Sequence, residues 1–183
     1  MWFIDSVINF VQSFGFFEKQ GKVLFLGLAN AGKTTLLGQI AENRRVALAP
    51  TMHPNNEQIK VGNVVFDTFD LGGHQGARRL WQDYFVDANA VFFLVDATDW
   101  ARFPEARAEL EALLAIKELR NTPFAILGNK MDRPLAVSEA ELYHELGLGP
   151  EGPCANRAVK LFMCSVKKRQ GYTDIFYWLE KNL

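Results

Sequence analysis

The chain has 183 residues, of which 49% are hydrophobic and 22% charged, and its formal net charge is −1 at pH 7. This length and hydrophobic content are typical of one globular domain with a substantial core, and the nearly neutral charge argues against general nucleic-acid binding. Its two cysteines, Cys154 and Cys164, provide no disulfide framework and suit a reducing compartment.

The first 17 residues predict an amphipathic helix. On a helical wheel one arc is apolar, and the opposite arc is polar: Asp5, Ser6, Asn9, Gln12 and Ser13. The segment is too short and too polar to span a bilayer, which needs about 20 apolar residues. It also lacks the basic start and small-residue cleavage site of a secretory signal. Trp2 stands where N-myristoylation requires glycine, so the peptide itself must provide any anchoring.

Two interpretations of this helix compete: shallow insertion into a membrane, and permanent packing on the domain as ordinary core. The amphipathic pattern favours insertion. Several buried apolar side chains at about 1.5–3 kcal/mol each suffice for reversible attachment without a lipid anchor. Because the polar arc has no Lys or Arg, we expect attachment to depend on packing defects or curvature more than on anionic lipid. We therefore predict a membrane-binding helix at 1–17 and a globular domain at 18–183.

Residues 27–34 match the G-x-x-x-x-G-K-[ST] pattern of a phosphate-binding loop, between an apolar run and a helix-like stretch. Its two glycines let the backbone curl so that successive N–H groups face a polyphosphate, and the following helix N-terminus adds a favourable dipole field. Lys33 is placed to reach the β- and γ-phosphates, and the Thr34 hydroxyl to ligate Mg²⁺. The predicted nucleotide contacts here are Asn30, Ala31, Gly32, Lys33, Thr34 and Thr35.

Strand-like and helix-like runs alternate along the chain. Strands are predicted at 22–27, 57–61, 64–69, 91–96, 124–128 and 159–164, and helices at 35–42, 104–119, 138–146 and 172–183. This order predicts an α/β fold with helices on both faces of a mostly parallel, six-stranded sheet. Only Gly62-Asn63 separates the second strand from the third, which is too short for a crossover, so these two strands form an antiparallel hairpin.

The third predicted strand ends in Asp70-Leu71-Gly72-Gly73, a pattern that suits sensing of a terminal phosphate. We expect Asp70 to hold Mg²⁺ through water and the N–H of Gly73 to contact the γ-phosphate. Upstream, Thr51 follows Pro50 in a polar stretch, and it is a candidate both for Mg²⁺ ligation and for a γ-phosphate contact. Taken alone, Thr51 would be an ordinary loop threonine, and only the neighbouring motifs favour a role for it.

Asn129-Lys130-Met131-Asp132 follows the fifth predicted strand, at the carboxyl end where open α/β sheets bind ligands. The carboxylate of Asp132 can accept two hydrogen bonds, from guanine N1–H and the 2-amino group. Adenine lacks this donor pair and would leave the carboxylate unpaired, so discrimination should be strong. The sequence therefore predicts GTP or GDP as the ligand, with Mg²⁺.

Taken together, these motifs resemble those of the Ras superfamily and, more narrowly, the Sar family, the Arf-related small GTPases that start COPII coat assembly on endoplasmic reticulum membrane. The narrower resemblance is carried by Leu71-Gly72-Gly73-His74, Ala77-Arg78-Arg79-Leu80-Trp81, the run from Leu127 to Pro134, and Lys168-Arg169-Gln170-Gly171-Tyr172. It covers essentially the whole chain and implies a P-loop small-GTPase fold over 18–183. It also implies that Ser165 and Val166 complete the base site, with the Ser165 N–H on guanine O6.

The residue after D-x-G-G is His74. The Sar family also has histidine at this position, whereas most of its relatives have glutamine. The His74 ring can orient an attacking water in line with the γ-phosphate, and hydrolysis should stay slow until a partner adds positive charge. The resemblance implies that this partner is the activating subunit of the inner COPII coat, acting through an arginine finger.

The resemblance also implies a membrane-bound guanine-nucleotide exchange factor and endoplasmic reticulum lipid as partners. It implies a cytoplasmic GDP-bound form and a GTP-bound form on the cytosolic face of the endoplasmic reticulum and its exit sites, with the Golgi as a further location. The hairpin around Gly62-Asn63 is expected to change register on GTP binding and fill the place where residues 1–17 rest in the GDP state.

One position departs from the family: Ala29 stands where members commonly carry Asp, so a carboxylate near the phosphates is missing. Three alternatives remain. A different Arf-like trafficking GTPase would be expected to carry glutamine at position 74 and often glycine as its second residue. A P-loop nucleotide kinase would need a lid and an acceptor pocket, for which the chain is too short. Ala29 leaves open a module that binds GTP with little hydrolysis.

Overall fold

The computed structural model describes residues 2–15, 21–44, 56–61, 64–71, 85–171 and 173–183. Its strands are β1 (Gly21–Leu28), β2 (Asn56–Val61), β3 (Val64–Leu71), β4 (Ala90–Asp96), β5 (Phe124–Asn129) and β6 (Val159–Met163). The helices within these ranges are α1 (Trp2–Gly15), α2 (Lys33–Arg44), α3 (Phe103–Leu114), α4 (Glu139–Glu145) and α5 (Thr173–Asn182). Short 3₁₀ turns occupy Trp100–Arg102 and Lys117–Leu119.

The strands form one sheet in the order β2-β3-β1-β4-β5-β6. Every neighbouring pair is parallel except β2 and β3, which run antiparallel with Val61 opposite Val64. The predicted fold, including its antiparallel hairpin, is therefore confirmed, although the connecting Gly62-Asn63 lies outside the described residues. Because β1 lies between β3 and β4, the loop that follows it emerges at the middle of the sheet's carboxyl edge.

Each face of the sheet is covered by its own apolar cluster. On one face Phe25 of β1 packs against Phe92 and Phe66, with ring centroids 5.0 and 5.8 Å apart, under α1, α2 and α5. On the other face Leu24 and Leu26 of the same strand lie beneath α3 and α4. Since side chains alternate along a strand, β1 is apolar at nearly every position and is buried on both sides. Helices on both faces are as predicted.

Helix α1 packs on α5 in this structure. Val7 and Phe10 are buried, and the Phe10 ring lies 5.4 Å from that of Phe176, while Asp5 and Asn9 remain exposed. The predicted amphipathic arc is thus confirmed over residues 5–12. The helix occupies the packed position, the less favoured of the two sequence interpretations. No helix in the described part of the chain is both long enough and apolar enough to cross a membrane.

The helix predicted at 104–119 is shorter than expected. It ends at Leu114, and Ile116 adopts an extended conformation (φ −70°, ψ 124°) before a separate 3₁₀ turn. The guanidinium of Arg157 donates to the carbonyls of Leu114, at 2.6 Å, and Leu119. The bond to Leu114 satisfies a backbone acceptor that a continuous helix would have paired with the N–H four residues later, and so stabilises the break.

Candidate nucleotide-binding site

The phosphate loop connects β1 to α2 and depends on its two outer glycines. Gly27 has φ +146° and Gly32 has φ +108°. A Cβ added to Gly27 would lie 2.3 Å from the Leu94 carbonyl oxygen, and one added to Gly32 would lie 2.3 Å from Asn129 Nδ2. Both the dihedral angles and the close approaches therefore require glycine.

Lys33 and the two threonines after it occupy the first turn of α2. The Lys33 side chain is buried, and its Nζ donates to the carbonyls of Gly27 at 2.9 Å and Leu28 at 2.7 Å. Its ammonium group is thus held across the loop. Thr34 and Thr35 are exposed at the helix N-terminus, so their hydroxyls are accessible to an anionic ligand or to a cation that prefers oxygen donors.

Asn129, at the end of β5, ties three parts of the site together. Its Nδ2 donates to the Ala31 carbonyl of the phosphate loop at 2.8 Å. Its Oδ1 accepts from the backbone N–H groups of Lys130 at 2.7 Å and Val166 at 2.9 Å. The side chain is only 3% exposed, so these bonds are shielded from water. One amide therefore connects the phosphate loop, the N-K-x-D run and the segment after β6.

Lys130 is held by Asp96 at the end of β4. Lys130 has φ +68°, and its Nζ forms an ion pair with Asp96 Oδ2. Burial alone would raise the pKa of Asp96, but hydrogen bonds from Lys130 and Thr98 together lower it below its ordinary value. The carboxylate consequently stays ionised and fixes the lysine in place.

Ser165 contacts Asp132 through its side-chain hydroxyl. Its Oγ donates to Asp132 Oδ1 at 2.5 Å, and this hydrogen bond lowers the pKa of the exposed Asp132 carboxyl below its ordinary value. The backbone N–H of Ser165, expected on guanine O6, donates instead to the Gln170 carbonyl at 3.1 Å, because the two residues form an antiparallel bridge. The N–H of Val166 is bonded to Asn129. The Ser165 hydroxyl, in the segment after β6, therefore orients the carboxylate of Asp132.

The remaining predicted site residues lie at or beyond the limits of the described chain. Asp70 is in β3 with its Cα opposite that of Gly27, so its backbone lies beside the phosphate loop. Thr51, Gly73 and His74 fall outside the described residues. The structure thus brings together the loop at 27–35, the N-K-x-D run and Ser165-Val166.

Two residues of the site escaped the sequence analysis. Asp96 had a usable signal, since it is a carboxylate that ends an apolar strand at the carboxyl edge of the sheet. Arg102 had none: its Nη1 donates to the carbonyl of Ala29, 73 residues away in the chain, at 3.1 Å.

Comparison with known proteins identifies the family. The sequence model of the ADP-ribosylation factor (Arf) family matches residues 7–183. This chain belongs to the Arf family. The chain is therefore a member of a GTPase family and binds guanine nucleotide.

Within the Arf family, this chain is similar to proteins of the Sar branch, which confirms the resemblance found in its motifs. It is 39% identical over 190 residues to the Small COPII coat GTPase SAR1 of Giardia intestinalis, covering 100% of this chain and 97% of that protein. It is 36% identical over 195 residues to SAR1 of Nicotiana tabacum, covering 99% and 98%. The crystal structure of SAR1 from Encephalitozoon cuniculi with GDP matches with a TM-score of 0.79 and 33% identity, covering 98% of this chain and 86% of that one.

Proposed function

We propose that this Arf-family chain is a GTP-hydrolysing membrane switch that initiates COPII coat assembly for transport from the endoplasmic reticulum to the Golgi. The observation that carries the proposal is the similarity to proteins named Small COPII coat GTPase SAR1 over nearly their whole length. That similarity includes the amphipathic N-terminal segment. An alignment that spans 100% of this chain supports a switch with two parts, residues 1–17 as membrane-binding helix and 18–183 as GTPase domain.

The phosphate end of the site would hold GTP or GDP together with Mg²⁺. Lys33, the N–H groups of 30–35 and the Gly73 N–H would bind the phosphates. Thr34 at the head of α2, Thr51 and, through water, Asp70 would hold the ion, and hydroxyl and carboxylate oxygens are the donors that Mg²⁺ prefers. When bound, Mg²⁺ neutralises charge on the β- and γ-phosphates. The exposure of Thr34 and the register of Asp70 beside Gly27 support this arrangement.

The base end of the site would bind guanine through Asp132, with Asn129, Lys130, Ser165 and Val166 as its frame. The carboxylate of Asp132 accepts from Ser165 through Oδ1, and it is exposed to an incoming base. With a pKa below its ordinary 3.8, the carboxylate is ionised at neutral pH and accepts hydrogen bonds, as pairing with the N1–H and 2-amino donors of guanine requires.

Hydrolysis would use His74 to orient water against the γ-phosphate, and it would be slow without the activating subunit of the inner coat. That subunit would contribute an arginine to the transition state, a contribution typically worth about 10³–10⁵ in rate. A membrane-bound exchange factor would load GTP. The activating partner would thus set the lifetime of the coat-bound form.

The switch itself would be the release of α1. In the docked position Phe10 is buried against Phe176 of α5. A change of register by two residues would keep every side chain of β2 and β3 on its present face, because side chains alternate along a strand. Such a shift on GTP binding would let the hairpin take the place of α1. The freed helix would insert into endoplasmic reticulum membrane at exit sites, and the GDP-bound form would return to the cytoplasm.

Single-turnover GTP hydrolysis, with and without the inner-coat activating subunit, tests this function. We expect acceleration of the wild type, and a His74→Gly variant that binds GTP normally but barely hydrolyses it even with the coat. His144→Ala is the matched control, since His144 is exposed in the last turn of α4 and is not one of the predicted site residues. Undiminished turnover by His74→Gly would remove His74 from the mechanism. No acceleration of the wild type would favour the second candidate, a GTP-binding module with little hydrolysis, which Ala29 leaves open.

A further inference from the structure

Arg102 connects α3 to the phosphate loop. It closes the 3₁₀ turn that follows β4, directly before α3 begins at Phe103. Its Nη1 donates to the Ala29 carbonyl at 3.1 Å, and its Nε donates to Glu105 Oε2 at 3.0 Å. A single guanidinium is therefore fixed at one end by a helix carboxylate and bonded at the other to the third residue of the loop.

The contact with Ala29 fixes the direction of the next N–H group. The carbonyl of Ala29 and the N–H of Asn30 belong to one planar trans peptide unit, in which they point in opposite directions. A donor that holds this carbonyl towards α3 therefore turns the Asn30 N–H away from α3. That N–H is one of the successive loop donors that a polyphosphate would meet.

One bond within the loop, from the Ala31 N–H to the Leu28 carbonyl at 3.3 Å, closes a turn around this peptide, and the Arg102 bond holds it from outside. Ala29 and Asn30 are both exposed, so burial does not hold them. Ala29 has no polar side chain of its own, and Asn30 has φ +66°, a left-handed conformation that costs a residue with a Cβ some strain. An external hydrogen bond is the kind of contact that keeps such a peptide in a single orientation.

We propose that Arg102 is a positioning residue for the nucleotide: it orients the Ala29–Asn30 peptide so that the Asn30 N–H binds the β- or γ-phosphate. The inference rests on the guanine-nucleotide function proposed above and adds a residue to it. Arg102 acts through the loop: of its five N–H donors, one on Nη1 bonds the Ala29 carbonyl and the one on Nε bonds Glu105. Loss of Arg102 should therefore weaken the binding of nucleotides that have a β-phosphate and leave the binding of a monophosphate unchanged.

The test compares guanosine monophosphate with GDP on the full-length protein. We expect Arg102→Ala to bind GDP about tenfold more weakly, the loss typical of one hydrogen bond to a charged group. Its affinity for guanosine monophosphate should be unchanged. Arg102→Lys, which keeps a donor on a long side chain, should recover part of the GDP affinity. Isothermal titration of nucleotide-free protein measures all these affinities.

Two further variants separate positioning from general stability. Arg107→Ala is the matched control, because Arg107 lies on α3, just after Arg102, and pairs with Glu111 at 2.9 Å; both nucleotides should bind this variant as they bind wild type. Glu105→Gln leaves the Ala29 contact but loosens the guanidinium, and should weaken GDP binding about twofold while sparing the monophosphate. It provides the same comparison should Arg102→Ala fail to fold.

The outcomes separate this inference from the proposed function. Equal weakening of GDP and guanosine monophosphate by the Arg102 variants would show a merely structural role and overturn the inference. Unchanged GDP binding by Arg102→Ala, with tight binding by wild type, would also overturn it and leave the proposed function intact. Failure of the wild type to bind GDP would overturn the proposed function itself.

Discussion

The substitution Asn129→Ala removes the amide that connects the phosphate loop to the base-binding segments. It deletes one donor bond, to the Ala31 carbonyl at 2.8 Å, and two acceptor bonds, from the N–H groups of Lys130 and Val166 at 2.7 and 2.9 Å. A net contribution of about 1 kcal/mol for each bond gives a loss of about 3 kcal/mol in the free energy of unfolding. Asn129 is only 3% exposed, so water cannot readily replace the lost hydrogen-bond partners.

Urea unfolding of the nucleotide-free protein, followed by circular dichroism, measures this loss. We expect the midpoint to fall while the slope with denaturant stays the same, which marks a change of stability rather than of compactness. Asn121→Ala is the control, because Asn121 is exposed and lies just before the first residue of β5, whereas Asn129 is its last. Such surface substitutions usually change the free energy of unfolding by no more than about 0.5 kcal/mol. A loss below about 1 kcal/mol for Asn129→Ala would refute the idea that this amide holds the site together.

Two further predictions concern titratable groups. The Ser165 hydroxyl lowers the pKa of Asp132 below its ordinary 3.8, so the stabilising interaction is fully present above pH 3.8 and is lost as the pH falls through the lowered pKa. In Ser165→Ala the pKa of Asp132 should rise towards 3.8. An NMR titration of this carboxyl measures the pKa in both proteins, and the same midpoint in both would contradict the prediction. Burial raises the pKa of Cys164 to about 12, so a thiol reagent should label half-buried Cys154 first and reach Cys164 only on unfolding. Labelling of both at equal rates in the native protein, read by mass spectrometry, would refute this.

The parts of the fold and site that sequence predicts are those set by local pattern. Apolar runs between turn residues marked most of the strands, and β2 was marked by alternating Ile59 and Val61. The two-residue spacer at 62–63 sufficed to predict the hairpin because it cannot hold a crossover. The phosphate loop and the N-K-x-D run are contiguous in the chain. Their chemistry could therefore be predicted before any contact was known.

The parts that sequence does not predict are set by contacts between distant residues. Helix α3 ends at Leu114 partly because Arg157, 43 residues later, bonds its last carbonyl. Arg102 reaches Ala29 only because the chain turns back after β4. The Ser165 N–H is engaged by Gln170 across a bridge that no local periodicity signals.

The N-terminal helix shows the same limit in another form. Its apolar arc follows from residue spacing, but the spacing is the same for a helix on lipid and for a helix on protein. Whether the arc is covered depends on the aromatic surface of α5, where Phe176 meets Phe10. Sequence therefore predicts the amphipathic helix and leaves its partner to tertiary structure.

Liposome flotation tests the central claim most directly, because it measures whether the nucleotide controls α1. Full-length protein and a variant lacking residues 1–17 are each loaded with GDP or a non-hydrolysable GTP analogue and mixed with small vesicles of neutral lipid. We predict that only the full-length protein with the GTP analogue floats with the vesicles. Equal flotation of the full-length protein in both nucleotide states would contradict the switch.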